Sequence, residues 1–272
     1  MIQLKSQREI EHMRASADLV GRALAEVAKI IEPGVTTLAL DRVAEEFIRD
    51  HGATPAFKGY AFGSLTPFPS TLCISVNDVV VHGFPSSRVL EEGDLISVDC
   101  GAQLDGFFGD SAYTFAVGEI SDELIALCRT TYESLHKGID KAVHGNRVGD
   151  IAYAVQSHCE AEGYGVVRDL VGHGIGRKMH EDPQVPNFGR RGTGRKLKAG
   201  TTICIEPMIN RGTHRVTTDA DGWTIRTADG EASAHYERMV LVQRGQPEIL
   251  TPFKYIEDVI EAPYHKAAMT HG

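Results

Sequence analysis

Gly34 and Gly145 stand 111 residues apart, and so do Gly52 and Gly163. Each of these glycines follows a stretch with helical periodicity. Two helix–helix–strand units of similar size therefore suggest a duplicated half-domain. The first unit opens on a capping box, Ser6-Gln7-Arg8-Glu9. Apolar residues then fall at Ile10, Met13, Ala17, Val20, Leu24, Val27 and Ile31, in steps of three or four, so one helix face is buried. Glu32-Pro33-Gly34 ends that helix. A second runs from about Thr37 to Asp50 and closes at His51-Gly52. The second unit opens at Ser121-Asp122-Glu123, with Leu124, Leu127, Leu135 and Ile139 on the apolar face. Gly145 interrupts it, and a shorter helix follows from about Val148 to Glu162-Gly163.

The strands lie between and after these units. Leu95–Cys100 alternates, and Thr201–Glu206, Trp223–Thr227 and Tyr236–Val242 are rich in β-branched or aromatic residues. Asp105-Gly106, Asp221-Gly222 and Asp229-Gly230 are hairpin-turn signals. Helices grouped beside hairpins indicate an α+β fold with a mainly antiparallel sheet. No low-complexity linker divides residues 1–252, which read as one domain. From 253 to 272 the pattern fades, and a short peripheral C-terminal tail is expected.

Composition narrows the function classes. The 272 residues include 28 Lys+Arg and 37 Asp+Glu, a net charge of −9. A chain this acidic does not coat nucleic acid or anionic membrane. The longest uncharged stretch, Gly59–Asn77, carries Pro67, Pro69 and several hydroxyl residues, so it is not a lipid-spanning helix. The cysteines Cys73, Cys100, Cys128, Cys159 and Cys204 are odd in number and widely spaced. With no leader peptide in view, they indicate a reduced, cytoplasmic protein.

The chemistry gathers around acidic residues. If Asp105-Gly106 forms a two-residue turn, Leu104 opposes Phe107 and Asp99 opposes Ala112. Asp110 then lies on the same face, diagonal to Asp99 at roughly 7–8 Å. Two carboxylates aimed at one spot repel unless a cation sits between them. His173 lies in Gly172-His173-Gly174-Ile175-Gly176, where glycines permit close backbone approach. Glu206 ends the apolar run Thr202-Ile203-Cys204-Ile205, and Glu237 opens the strand Met239–Val242. An acidic residue at the lip of an apolar strand is costly unless paired or metal-bound. Singly, each is more often a turn, edge or loop residue. Together, four carboxylates and one imidazole balance two divalent cations. Such oxygen-rich ligation suits Mn²⁺, Co²⁺, Fe²⁺ or Zn²⁺. Two such ions about 3.5–4 Å apart can activate a hydroxide at neutral pH.

Val98-Asp99-Cys100-Gly101, Gly109-Asp110-Ser111-Ala112, Gly172-His173-Gly174-Ile175-Gly176, Ile205-Glu206-Pro207-Met208 and Tyr236-Glu237 together resemble the signature of the type I methionine aminopeptidases. The resemblance runs from about residue 4 to residue 251. It implies the pita-bread (creatinase/aminopeptidase) fold, a curved, mainly antiparallel sheet flanked by two pseudo-twofold-related helix pairs. It also implies removal of the initiator methionine from nascent proteins whose second residue is small. Asp99, Asp110, His173, Glu206 and Glu237 would bind two divalent ions (Co, Mn, Fe, Zn or Ni), with Asp110 and Glu237 bridging. Glu206 would double as the base. His82, in Val81-His82-Gly83, would bond the scissile amide nitrogen, and His180, in Met179-His180-Glu181, would stabilise the oxyanion.

By the same resemblance, Tyr60, Phe68, Cys73, His82, Met179, His180 and Trp223 would line the methionine pocket. A Na⁺ or K⁺ ion would sit on carbonyls near Asn77, Val79 and Ser233. Met179 stands where the family commonly has Phe, and Ala61–Pro69 is longer than usual. A transient ribosome contact, a monomeric state, and neither membrane nor specific nucleic-acid binding are further expectations. Arg190, Arg191, Arg195, Lys196 and Lys198 read as a solvated basic loop rather than an RNA contact. Two other readings share the fold. One is a proline-directed aminopeptidase with the same five ligands. The other is a non-catalytic ribosome-associated binding protein, which would have lost ligands.

Overall fold

The computed structural model describes residues 2–61, 63 and 66–260. Four helices carry the duplicated pattern: α1 (Gln7–Ala28), α2 (Thr37–Asp50), α3 (Asp122–Ile139) and α4 (Val148–Ala161). A short α5 (Lys254–Glu257) follows near the end. The capping box forms as expected. Ser6 Oγ accepts the Glu9 N–H at 3.3 Å, and Glu9 Oε2 accepts the Ser6 N–H at 3.0 Å. Ile10, Met13, Ala17, Val20, Leu24 and Val27 form the buried face of α1.

The first half centres on a four-stranded sheet. Leu95–Leu104 pairs with Leu72–Val76, Thr54–Pro55 and Phe107–Ala116, all antiparallel. The second half centres on five strands in the order Glu248–Ile249, Arg238–Leu241, Thr202–Ile205, Val171–Gly174 and Glu181–Pro186. The two sheets meet where Ala112 bridges Glu237. There the Glu237 N–H donates to the Ala112 carbonyl at 2.9 Å, and Ser111 Oγ donates to the Glu237 carbonyl at 2.8 Å. One apolar cluster runs behind both sheets, from Val20 and Leu24 of α1 to Leu127 and Leu135 of α3 and to Ile203 and Ile205. Two helix pairs thus back a joined antiparallel surface, the α+β arrangement expected from the sequence.

The central hairpin fixes where the acidic residues point. Leu104 pairs with Phe107 and Asp99 with Ala112. The turn residues Asp105 and Gly106 have φ of 53° and 78°, the left-handed pair that a two-residue turn requires. Gly109 has no side chain because α1 crosses there. A Cβ would sit 2.6 Å from the Ser16 carbonyl oxygen.

Three expectations need correction. Asp229-Gly230 does not close a hairpin. Ile225–Thr227 pairs with Val216–Thr218 and Val79–Val81, whereas Ser233–His235 pairs with Met208–Asn210. The Asp229 carboxylate instead caps the Thr213 N–H at 2.7 Å, and the chain passes from one sheet to another. Trp223 and Thr224 do not begin a strand either, because Asp221 Oδ1 takes both of their N–H groups, at 2.7 and 2.8 Å. Finally, the start of the expected peripheral tail is core. Phe253 and Ile256 are buried, and the Arg238 guanidinium stacks 3.7 Å over the Phe253 ring. Residues 261–272 of that tail lie outside the described residues.

Candidate metal centre and pocket

Five elements deliver the acidic and histidine residues to one place. Asp99 and Asp110 come from the two strands of the hairpin, where Asp99 pairs with Ala112 and Asp110 stands two residues before it on the same face. Glu237 is brought to them by the bridge to Ala112. Glu206 follows the Thr202–Ile205 strand, and His173 sits within Val171–Gly174. Gly172 and Gly174 let that strand run close to its neighbours. A Cβ on Gly172 would collide with the Cys204 carbonyl, and one on Gly174 with the Asp182 carbonyl.

The electrostatics of this group are unfavourable as they stand. Burial, with mutual repulsion among the carboxylates, raises Asp99, Glu206 and Glu237 well above the usual carboxylate range. Asp110 is raised as well, by burial alone. Asp99 Oδ1, Asp110 Oδ1 and Glu237 Oε1 are buried and have no hydrogen-bond partner. His173 does not relieve them. Its Nδ1–H donates to the Gly174 carbonyl at 3.0 Å, and burial lowers its pKa to about 4. The ring is therefore neutral, and Nε2 presents a lone pair, 3.6 Å from both Asp110 Oδ2 and Glu206 Oε1. Acceptors facing acceptors need a cation. Among the described residues lining this cavity there is no Lys or Arg to supply one. The donor set of four carboxylates and one bare imidazole nitrogen fits divalent ions.

The cavity above these groups is about 500 Å³ and is lined by all seven residues expected to form the pocket. Phe68 makes edge contacts with Trp223 at 5.4 Å and with Phe84 at 5.1 Å. Trp223 is fixed by its indole N–H, which donates to the Thr66 carbonyl at 2.7 Å. Met179 is 4 % exposed and closes one wall. His82 and His180 also line the cavity, and burial lowers each to a pKa of about 4, so both rings are neutral at pH 7. His82 has a φ of 60°, a backbone state rare outside glycine and typical of strained functional positions. Tyr60 Oη lies 2.7 Å from His180 Nδ1, and the His180 ring packs edge-on against His173 at 4.3 Å.

Sequence reasoning missed Phe57, Leu170 and Ile225, which also line the cavity and whose local patterns distinguish them from ordinary core residues in no way. Cys204 is buried close by, with its Sγ within 4.8 Å of side-chain polar atoms of Asp110, His173 and Glu237, but it does not line the cavity. At the expected monovalent-cation position, Asn77 and Ser233 do meet, because the Ser233 N–H donates to the Asn77 carbonyl at 2.9 Å.

Comparison with known proteins agrees with this geometry. Residues 11–244 match the model of metallopeptidase family M24. The chain is 55 % identical to a methionine aminopeptidase of Clostridium perfringens, over 93 % of this chain and 100 % of that one. The crystal structure of a Thermotoga maritima methionine aminopeptidase superposes with a TM-score of 0.89 at 43 % identity, covering 92 % of this chain and 99 % of the other. A Xaa-Pro dipeptidase of Bacillus anthracis shares the fold at a TM-score of 0.73 and 24 % identity, with 91 % of this chain and 61 % of that one covered. Four carboxylates and a histidine converging below an apolar pocket, a family match over residues 11–244 and 55 % identity over nearly the full length place the chain in metallopeptidase family M24, among the methionine aminopeptidases.

Proposed function

We propose that the chain acts as one catalytic unit, with Phe253 and Ile256 of the expected tail packed into it, that removes N-terminal methionine from polypeptides with a small second residue. Asp99, Asp110, His173, Glu206 and Glu237 would hold two divalent cations. The observation that carries this reading is the set of buried oxygens without hydrogen-bond partners on Asp99, Asp110 and Glu237, beside a neutral His173 whose Nε2 lies 3.6 Å from Asp110 Oδ2 and Glu206 Oε1. When bound, the cations would balance the four carboxylates, polarise the scissile carbonyl and activate a water at neutral pH.

The remaining work belongs to the chain. The apolar cavity of Phe68, Trp223 and Met179 takes the methionine side chain and excludes water from the reacting centre. Glu206 accepts the proton of the attacking water and returns it to the departing amide nitrogen, which His82 holds by a hydrogen bond. Tyr60 donates its hydroxyl proton to His180 Nδ1, which leaves the imidazole proton on Nε2. That N–H is then available to the developing oxyanion. A filled methionine pocket places the next side chain against the cavity wall, so a large second residue clashes.

Co²⁺, Mn²⁺, Fe²⁺, Zn²⁺ and Ni²⁺ all suit this donor set. A Na⁺ or K⁺ ion near Asn77, Val79 and Ser233, a cytoplasmic location, a monomeric state and a transient ribosome contact complete the reading. No helix among the described residues is long and apolar enough to cross a membrane.

Hydrolysis of Met-Ala-Ser with added Mn²⁺ or Co²⁺ tests the assignment, and a Xaa-Pro peptide separates it from the proline-directed alternative. Glu206→Gln should lower kcat by about 10²–10⁴-fold with the fold intact. Retention of a tenth or more of kcat contradicts the role given to Glu206.

A further inference from the structure

The cavity has two apolar walls that belong to separate clusters. Phe68, Cys73 and Trp223 form one, with Phe57 and Tyr60 packed against it. Val81 and Met208 belong to the other, with Leu170 and Ile225 packed against it. The first wall takes the methionine side chain. His82, which holds the departing amide nitrogen, directly follows Val81 of the second. The peptide beyond the scissile bond therefore runs along the second wall toward solvent. Asp169 stands where that wall reaches the surface. It precedes Leu170, is exposed and lines the cavity.

Neighbouring charges leave Asp169 unpaired. A guanidinium nitrogen of Arg168 lies 3.5 Å from Glu160 Oε1, and that guanidinium stacks 5.5 Å over the Phe188 ring. In the loop that brings Thr218 and Gly222 to the cavity, the acids are occupied. Asp219 accepts the Arg226 Nε–H at 2.8 Å, and Asp221 takes the Trp223 and Thr224 N–H groups. Asp169 itself has no ion pair or hydrogen bond with any described residue. Two divalent ions would cancel the four carboxylates of the centre. Asp169 is then the uncompensated charge among the described residues of the cavity lining.

We propose that Asp169 is a specificity-determining residue that favours Lys or Arg at the third position of the peptide and disfavours Asp or Glu there. The proposal rests on the methionine-removing reading above. An extended peptide advances about 3.3–3.6 Å per residue, so the third residue lies about 7 Å beyond the methionine. A cavity of about 500 Å³ is about 8 Å across, so that residue is the first to reach the mouth. An exposed ion pair changes binding by about 1.5- to 5-fold. Attraction of lysine and repulsion of glutamate multiply, to about 2- to 25-fold between the two.

The test compares kcat/KM of the metal-loaded protein for Met-Ala-X-Ala peptides amidated at the C terminus, with X lysine, glutamine or glutamate. At low ionic strength lysine should exceed glutamate by about threefold or more, with glutamine between. Asp169→Asn should lose most of that ratio, and Asp169→Lys should reverse it. Glu46→Gln, which removes an acidic charge from α2 outside the cavity, should keep the native ratio. Added salt should shrink it, because the pair is exposed. Equal kcat/KM for the three peptides, or a lysine preference that survives in both Asp169 variants, overturns the role of Asp169 and leaves the methionine-removing reading standing. Failure of native protein to cleave any of the three overturns both.

Discussion

Lys5→Met should destabilise the protein far more than a terminal surface substitution does. Lys5 Nζ lies 2.5 Å from Glu181 Oε2, with side chains only 4 % and 8 % exposed. The other carboxylate oxygen, Oε1, accepts the Lys178 N–H at 3.2 Å, and the Lys5 N–H donates to the Gly200 carbonyl at 2.7 Å. Gly176 is bare because a Cβ there would collide with Lys5 Nζ. The segment before α1 therefore straps down the turn that carries Met179 and His180. Methionine keeps the apolar stem but leaves a buried carboxylate without its partner. Removing one partner of a buried pair costs about 3–5 kcal/mol. At about 2–4 °C per kcal/mol for a chain of this size, Tm should fall by about 6–20 °C. Replacing both charges, Lys5→Met with Glu181→Met, should recover much of the loss, because neither charge is then stranded. Calorimetric unfolding of the metal-loaded protein measures the stability cycle. Steady-state kinetics should show a lower kcat as His180 loosens. A single-variant loss below about 1 kcal/mol, the value of an exposed pair, together with native kcat, would refute the strap.

His82→Asn, chosen because asparagine tolerates the φ of 60°, should slow turnover at least about tenfold while calorimetric metal affinity stays native. His173→Ala should lose that affinity. Met179→Phe should sharpen the preference for methionine over norleucine and ethionine, because a flexible thioether wall gives way to a rigid ring. Identical kcat/KM ratios in both forms would place Met179 outside the specificity wall. Metal-free protein should lose Tm as pH rises above the ordinary carboxylate range. Asp99, Asp110, Glu206 and Glu237 have raised pKa values in the fold, so their protonated forms stabilise it at low pH and ionisation removes that stability. Saturating Mn²⁺ should abolish the slope, and thermal scans at stepped pH with and without chelator read it.

What the sequence made legible was local. A two-residue turn fixes the register of its own hairpin, so Asp105-Gly106 alone determines which residues oppose Asp99 and Asp110. Apolar steps of three and four set the buried faces of α1 and α3 in the same way. Side chains that replace backbone partners broke the reading elsewhere. The Asp221 carboxylate took the N–H groups of Trp223 and Thr224, so a strand-like start became part of a hairpin loop, and Asp229 took that of Thr213, where the chain crosses between sheets. Contacts between distant segments left no local periodicity. Lys5 with Glu181, Trp223 with Thr66, and Phe253 with Arg238 are examples. Hairpin register and the acidic lips of apolar strands singled out the five candidate ligand positions, and the resemblance then implied the role of each.

The geometry adds the state of each group, which residue identity leaves undetermined. A buried histidine between two carboxylates could be a protonated counter-ion, and then no metal would be required. The Nδ1–H bond from His173 to the Gly174 carbonyl and the burial of the ring argue against that, since they hold it neutral with Nε2 bare. Protons on the carboxylates are then the remaining way to neutralise the group, and burial with mutual repulsion pushes Asp99 and Glu237 in that direction. Protons and divalent cations therefore compete for the same oxygens. A lysine or arginine in the cavity would have ended that competition permanently by pairing with the carboxylates, and among the described lining residues there is none. The same burial that makes four acids costly without an ion makes divalent metal the alternative to protons at this centre, and a bound ion would supply the activated water that peptide hydrolysis needs.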